Sequence, residues 1–232
     1  MATPSVTRSG LDQGLAELRD DLLRISSLAE DLIARSVSAL KRQDLEAARA
    51  LIEMDTRVNT LRYQVETRAV QLIALQQPAA RDLRFIMAAV HSAIEMERMA
   101  DHACGIARIC LRIGEEPLIK PLIDIPKMCD IACAMLHDAT SAFIALDAEA
   151  ARHIAERDSE VDNLYAQVLR ELLTYMMQDR RKVEQGTYLL WVAHNLERIA
   201  DRVTNVCERI IFVATGELGD YKANDPSTTA AQ

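Results

Sequence analysis

Two hexapeptides place a glutamate and an aspartate four residues apart in matching apolar frames. They are Met96-Glu97-Arg98-Met99-Ala100-Asp101 and Leu196-Glu197-Arg198-Ile199-Ala200-Asp201, separated by 197 − 97 = 100 residues. A second set of oxygen donors repeats as well: Asp55 matches Asp158 and Asn59 matches Asp162, at an offset of 158 − 55 = 103. On a helix, residues four apart share a face, with Cβ atoms about 6 Å apart. Rows on two adjacent helices that faced each other would bring three or four side-chain oxygens together. Carboxylates so placed repel: at an effective dielectric of 20 and ~6 Å, each like-charged pair costs roughly 3 kcal/mol. A bound divalent or trivalent cation reverses that sign. All-oxygen ligation suits hard metals such as Mg²⁺, Mn²⁺ or iron, with Zn²⁺ a further option. The predicted ligands are Asp55, Glu97 and Asp101 in the first copy, with Asn59 as a weaker donor, and Asp158, Asp162, Glu197 and Asp201 in the second.

A single Glu-x-x-x-Asp on a helix ordinarily marks solvated surface. Arg98 and Arg198 stand three residues before Asp101 and Asp201, a spacing that forms exposed ion pairs worth a few tenths of a kcal/mol. Duplication is what sets these pairs apart from ordinary surface. The carboxylates flank the apolar stripe of Val192, Leu196, Ile199, Val203, Val206 and Ile210, so periodicity predicts a site at a groove edge or on the surface. The five histidines show no ligand spacing, and Cys129 and Cys133, one helical turn apart, read as core. The chain has no Gly-rich phosphate loop, nucleophile elbow or zinc motif.

The elements that carry these residues form a repeat of about a hundred residues with three helical segments. Asp44-Leu45-Glu46-Ala47-Ala48-Arg49 aligns with Asp147-Ala148-Glu149-Ala150-Ala151-Arg152, again at an offset of 103. The drop from 103 to 100 places a three-residue length difference in a loop near Gln76 to Arg81. Six helices are predicted: Leu11–Arg42, Asp44–Gln77, Ala79–Gly114, Ile125–Ala145, Asp147–Gln178 and Arg181–Thr215. Asp44 and Asp147 serve as N-caps, Pro78 stops the second helix, and Gly114 and Gly216 end the third and the sixth. The expected organisation is all-α, as two tandem antiparallel three-helix bundles. Residues 1–10 and 217–232 read as tails, 11–114 and 125–216 as the repeats, and 115–124, with Pro117 and Pro121, as the linker.

Composition agrees. Of 232 residues half are hydrophobic and only 4% aromatic, with 7 Gly and 6 Pro, which favours a globular helical chain. A net charge of −8 argues against nucleic-acid binding. The opening residues lack the apolar core of a signal peptide, and uncharged runs such as 85–94 are too short to span a bilayer, so a cytoplasmic location is expected. The five cysteines form no Cys-x-x-Cys pair and read as reduced, buried thiols.

The duplicated Glu-Arg-x-Ala-Asp element, the segment Pro78-Ala79-Ala80-Arg81-Asp82-Leu83-Arg84 and the stretch Glu197 to Asn205 resemble the PhoU family of phosphate-uptake regulators, over about residues 11–216. The resemblance implies an all-helical cytoplasmic protein that binds metal clusters through its Glu/Asp-x-x-x-Asp motifs. It also implies repression of the phosphate-starvation response, through contact with a sensor histidine kinase and with the ATP-binding subunit of the phosphate ABC transporter. A homodimer is expected, and no enzymatic activity. Gly105 where the second copy has Asn205, and Asn59 where it has Asp162, make the first site the weaker one. Two other classes remain open: a carboxylate-bridged di-metal oxidase, which ordinarily uses Glu-x-x-His on facing helices, and a metal-free helical adaptor.

Overall fold

The computed structural model describes residues 4–217, with side chains from residue 9 onward. Among the described residues every regular element is helical: α1 (Pro4–Arg42), α2 (Leu45–Gln76), α3 (Ala80–Ile113), α4 (Asp124–Ala145), α5 (Ala148–Glu156), α6 (Asp158–Gln178) and α7 (Val183–Thr215), with one 3₁₀ turn at Arg180–Lys182. The helices α5 and α6 are a single predicted helix interrupted at Arg157, so the six-helix plan holds. At the interruption the Glu160 N–H bonds the Arg157 carbonyl at 3.0 Å, a tight i→i+3 turn. No residue is inserted there, since the offset of 103 holds on both sides; the counterpart helix α2 runs through without a break. The chain is helical from Pro4, so most of the segment expected as an N-terminal tail joins α1; proline suits a first turn, where its missing N–H has no helical partner. Of the C-terminal tail expected over 217–232, all but residue 217 lies outside the described residues.

The repeat is visible in the turns. Gln43 and Leu146, equivalent at 146 − 43 = 103, both adopt left-handed backbone with φ of 53° and 55°. Each is followed by an aspartate whose N–H reaches back to close the preceding helix: Asp44 to the Ala39 carbonyl at 2.9 Å, Asp147 to that of Ala142 at 3.0 Å. Each aspartate then caps the next helix, Asp44 accepting from the Ala47 N–H and Asp147 from those of Glu149 and Ala150. The three-residue difference falls at 77–79, between α2 and α3, where a change of length disturbs no packed helix.

The two repeats do not keep separate cores. One continuous apolar cluster runs from Leu11 to Val213. Its centre is two helix pairs, α1 with α4 and α3 with α7, flanked by α2 on one side and by α5 and α6 on the other. Both central pairs cross antiparallel. Between α1 and α4, Ser26 and Thr140 share a buried hydrogen bond of 2.7 Å. Between α3 and α7, Arg202 donates to Glu95 at 2.9 Å, Asn205 donates to the same oxygen at 3.3 Å, and His102 Nδ1 donates to Asn195 Oδ1 at 2.9 Å. These contacts are reciprocal, because Glu95 is equivalent to Asn195 and His102 to Arg202 at an offset of 100. The repeats thus meet about an approximate two-fold axis, as the halves of an isologous dimer do.

Replacing Arg202 with Leu should cost about 2 kcal/mol, since it removes a charge-assisted bond and leaves the largely covered Glu95 carboxylate with Asn205 alone. Urea unfolding monitored by circular dichroism measures this; no change in the midpoint would show that the pair contributes nothing.

The linker is pinned by amide side chains. Gln43 Nε2 donates to the carbonyls of Gly114 and Glu116, at 2.9 and 2.6 Å. Gln185 accepts from the Ile119 N–H and donates to the Pro117 carbonyl. The helix α4 is long and apolar enough to cross a bilayer by length and composition, which counting uncharged runs did not reveal. Half of its most apolar stretch is buried, as in a core helix, and it packs on α1 and α7.

Candidate metal centres

The seven predicted carboxylates lie in two seams, one between α2 and α3 and one between α6 and α7. In each seam the outer helix covers the row that the apolar stripe left at its edge. The side chains are therefore less exposed than periodicity predicted: Glu97 is 13% exposed and Glu197 22%, though Asp101 remains 43% exposed. Asp158 is buried, in the first turn of α6, a position opened by the interruption at Arg157; there the helix dipole favours a carboxylate. Its counterpart Asp55 sits within the unbroken α2 and has no such support.

In the first seam Asp55, Glu97 and Asp101 act on one another electrostatically. Burial, then the neighbouring Asp101 charge, raises the pKa of both Asp55 and Glu97. Asn59 Nδ2 donates to Asp55 at 3.3 Å, and the Cys104 thiol lies 3.9 Å from the other Asp55 oxygen. Burial, then the Asp55 charge, pushes the Cys104 thiol up to about 12. Three guanidiniums offset the carboxylates: Arg62 at 3.9 Å from Glu97, Arg98 at 3.5 Å from Asp101, and Arg108, whose charge acts on Asp55.

In the second seam Asp162 and Asp201 both come into range of Glu197. Burial, then Asp201, raises the Glu197 pKa, and Asp162 adds to the effect. Arg198 donates to Asp201 at 2.6 Å. Glu197 Oε2 is sealed from solvent and accepts no hydrogen bond; His194 Nδ1 approaches it at 3.3 Å without hydrogen-bonding geometry. The His194 ring lies 6.2 Å from that of Tyr165 on α6.

Among the described residues, no three His, Cys, Asp or Glu side chains converge closely enough to hold one ion as they stand. The arginines engage the carboxylates from the sides, and like charges separate when they can. The donor chemistry nonetheless fits a hard cation: the oxygens are partly desolvated, they repel one another, and one of them, Glu197 Oε2, is a buried acceptor with no donor. Asn59, a neutral amide that spends its N–H on Asp55, adds little to the first set.

Reading single helices placed His194 on the row of Glu197 and Asp201 without making it a site residue, and missed Arg62, Arg108 and Tyr165. The signal for them was present in the repeat itself, since Arg62 faces Tyr165 at 165 − 62 = 103 and Ile94 faces His194 at 194 − 94 = 100.

Comparison with known proteins follows the same division into halves. The family model of the PhoU domain matches twice, over residues 22–110 and 125–210. A phosphate-specific transport system accessory protein PhoU homolog from Clostridium acetobutylicum is 37% identical over 216 residues, covering 93% of this chain and 99% of the relative. One from Caulobacter vibrioides is 39% identical over 204 residues, covering 88% and 89%. The crystal structure of PhoU from Pseudomonas aeruginosa superposes with a TM-score of 0.84 at 31% identity, covering 89% of this chain and 99% of that one. That of the phosphate transport system regulatory protein PhoU from Streptococcus pneumoniae gives 0.84 at 32% identity, covering 90% and 99%.

Proposed function

This chain belongs to the PhoU family, and on that premise we propose that it is a non-enzymatic regulator of phosphate uptake that works in the cytoplasm with the phosphate transport machinery. The observation that carries this reading is similarity along nearly the whole chain, at the level of sequence and fold, to accessory proteins of phosphate-specific transport. The finer reading is that it couples the ATP-binding subunit of the phosphate ABC transporter to a sensor histidine kinase and represses the starvation response when phosphate is plentiful. A homodimer is part of the same reading. Six long helices with broad outer faces suit docking of partner domains.

Metal binding belongs to this proposal. Asp55, Glu97 and Asp101 would hold a cation in the first seam, and Asp158, Asp162, Glu197 and Asp201 in the second. When bound, the cation supplies charge neutralisation, tying the outer helix of each repeat to the central pair. The protein's own groups do the rest: they desolvate the site and set the spacing of the helices. An oxidase reading gains nothing from the seams, where no Glu-x-x-His pair occurs on facing helices.

Deleting the gene should leave phosphate-starvation genes switched on in phosphate-rich medium. Normal repression in the deletion strain, with no second copy of the gene, would refute the regulatory role. Capture of neither the kinase nor the transporter ATPase by the full chain from cells grown in high phosphate would remove the coupling mechanism and leave the family assignment intact.

A further inference from the structure

The start of α2 and the whole of α5 are nearly the same peptide in two settings. Leu45-Glu46-Ala47-Ala48-Arg49 aligns with Ala148-Glu149-Ala150-Ala151-Arg152 behind equivalent aspartate caps. The same two positions are buried in each, Ala48 and Leu51 in α2 and Ala151 and Ile154 in α5. Continuity is what differs: α2 runs for 32 residues and α5 for 9. We propose that α5 is a flap that opens as a unit about Arg157, while its counterpart over 45–53 stays closed. This motion is independent of the metal-binding reading above.

The hinge is the interruption itself. There the chain turns through two i→i+3 bonds, from the Arg157 N–H to the Ile154 carbonyl at 3.1 Å and from the Glu160 N–H to the Arg157 carbonyl at 3.0 Å. Rotation at this point separates α5 from α6 without unwinding either. In α2 the matching position is Met54, inside a continuous helix, so the same rotation would break that helix.

Isolated helices shorter than about 12–15 residues are marginal even in favourable sequences. α5 therefore depends on its packing against α7 and α4, whereas α2 adds the propagation of a long helix to the same packing. On the α4 side that packing is incomplete. A groove of about 510 Å³ opens there, with Ser141, Ala142 and Ala145 of α4 on one wall and Ala150 and Ile154 of α5 on the other. Ala145 stands where the first repeat has the much larger Arg42. Opening of the flap uncovers Ala142 and Ile154, which are nearly sealed when it is closed.

A latch ties the hinge to α4: Arg157 donates to Asp138 at 2.7 Å. At the equivalent positions of the first repeat Arg35 reaches the Met54 sulfur at 3.7 Å, with no charge pair between them. Arg152 and His153 pair with Glu149 and Glu156 within α5, contacts that travel with the flap. The latch side chains are 32% and 48% exposed, so the pair is weak and screened by salt. The second repeat is thus the half that can change shape, while the shared core stays intact.

Hydrogen–deuterium exchange of the full-length protein, read by mass spectrometry on peptides covering 45–53 and 148–156, tests this. The matched sequences give the two segments similar intrinsic rates, so their ratio reports opening. Exchange over 148–156 should be faster by about tenfold or more, and should change little with urea below the unfolding transition, as a small local opening requires. Asp138→Asn should speed it by a further factor of about two to five, the range of an exposed ion pair, and leave 45–53 unchanged. Salt at ~1 M should speed wild type in the same way and have no such effect on the variant. Equal exchange in the two segments, or exchange over 148–156 that follows global unfolding in urea, would overturn the flap. Exchange in Asp138→Asn identical to wild type would overturn the latch.

Discussion

Glu197→Gln combined with Asp201→Asn is expected to weaken metal binding at the second seam by more than about 100-fold, since even outer-shell changes at metal sites cost 10–100-fold. The substitutions keep shape and remove two charges from the second seam. Elemental analysis of the purified double variant against wild type reads the effect, and full metal content in the variant would sink the assignment of the second seam. The same variant should be more heat-stable than wild type when both are metal-free at pH 7. The sign follows from the environment of Glu197, whose pKa is raised by burial, then by Asp201. A raised carboxyl pKa means that the folded state disfavours the ionised form. The stability contributed by that group is present below its ordinary value of 4.5 and is lost as pH rises through the raised one. At pH 7, above the ordinary value, wild type carries this penalty and the Gln/Asn variant does not; below about pH 4, where the glutamate is largely protonated in both folded and unfolded chains, the difference should shrink. Calorimetric melting of the chelated proteins at both pH values reads this directly, and a lower melting temperature for the variant at pH 7 would show that the carboxylates support the metal-free fold.

Phe143→Ala should destabilise the protein by roughly 3–5 kcal/mol, the range for deleting a buried aromatic side chain. Phe143 is 1% exposed, on α4, and its ring lies 5.3 Å from that of Phe85 on α3. The pair therefore joins the second repeat to the first, and the Arg19 guanidinium lies over the Phe85 ring, 4.6 Å from its centroid. For a chain of this size ~1 kcal/mol corresponds to about 2–4 °C in melting temperature, so a drop on the order of 10 °C is expected. Because one core spans both repeats, unfolding should stay a single transition that moves as a whole. Tyr63→Ala, at a side chain 58% exposed, serves as the control and should cost much less. A loss below ~1 kcal/mol for Phe143→Ala, or the appearance of two separate transitions, would contradict a shared core.

Much of this architecture is written locally. Apolar spacing, the Asp44 and Asp147 caps, Pro78 and the terminal glycines are signals within one turn or one helix, and the helices follow them closely. The repeat, read at offsets of 103 and 100, carried the three-residue difference to the connection between α2 and α3. The interruption at Arg157 was not legible: α5 and α6 carry no proline or glycine at the break, and the same register runs unbroken through α2. Both α5 and α6 pack on α7 and α4, contacts that no pattern within one helix specifies.

The sequence by itself determined the helical class, the duplicated plan and the identity of the carboxylate rows, because all three depend on the 3.6-residue period and on matching stretches of one chain. Only the tertiary structure decided which residues meet across helices: that Arg62 stands over Glu97 while Tyr165 stands near His194, and that Glu95 and His102 find Arg202 and Asn195 across an approximate two-fold axis. A helix pattern specifies which face is buried, but not the partner that covers it. That choice is made when two apolar faces close together, and it fixes which charged side chains meet at the rim of each seam.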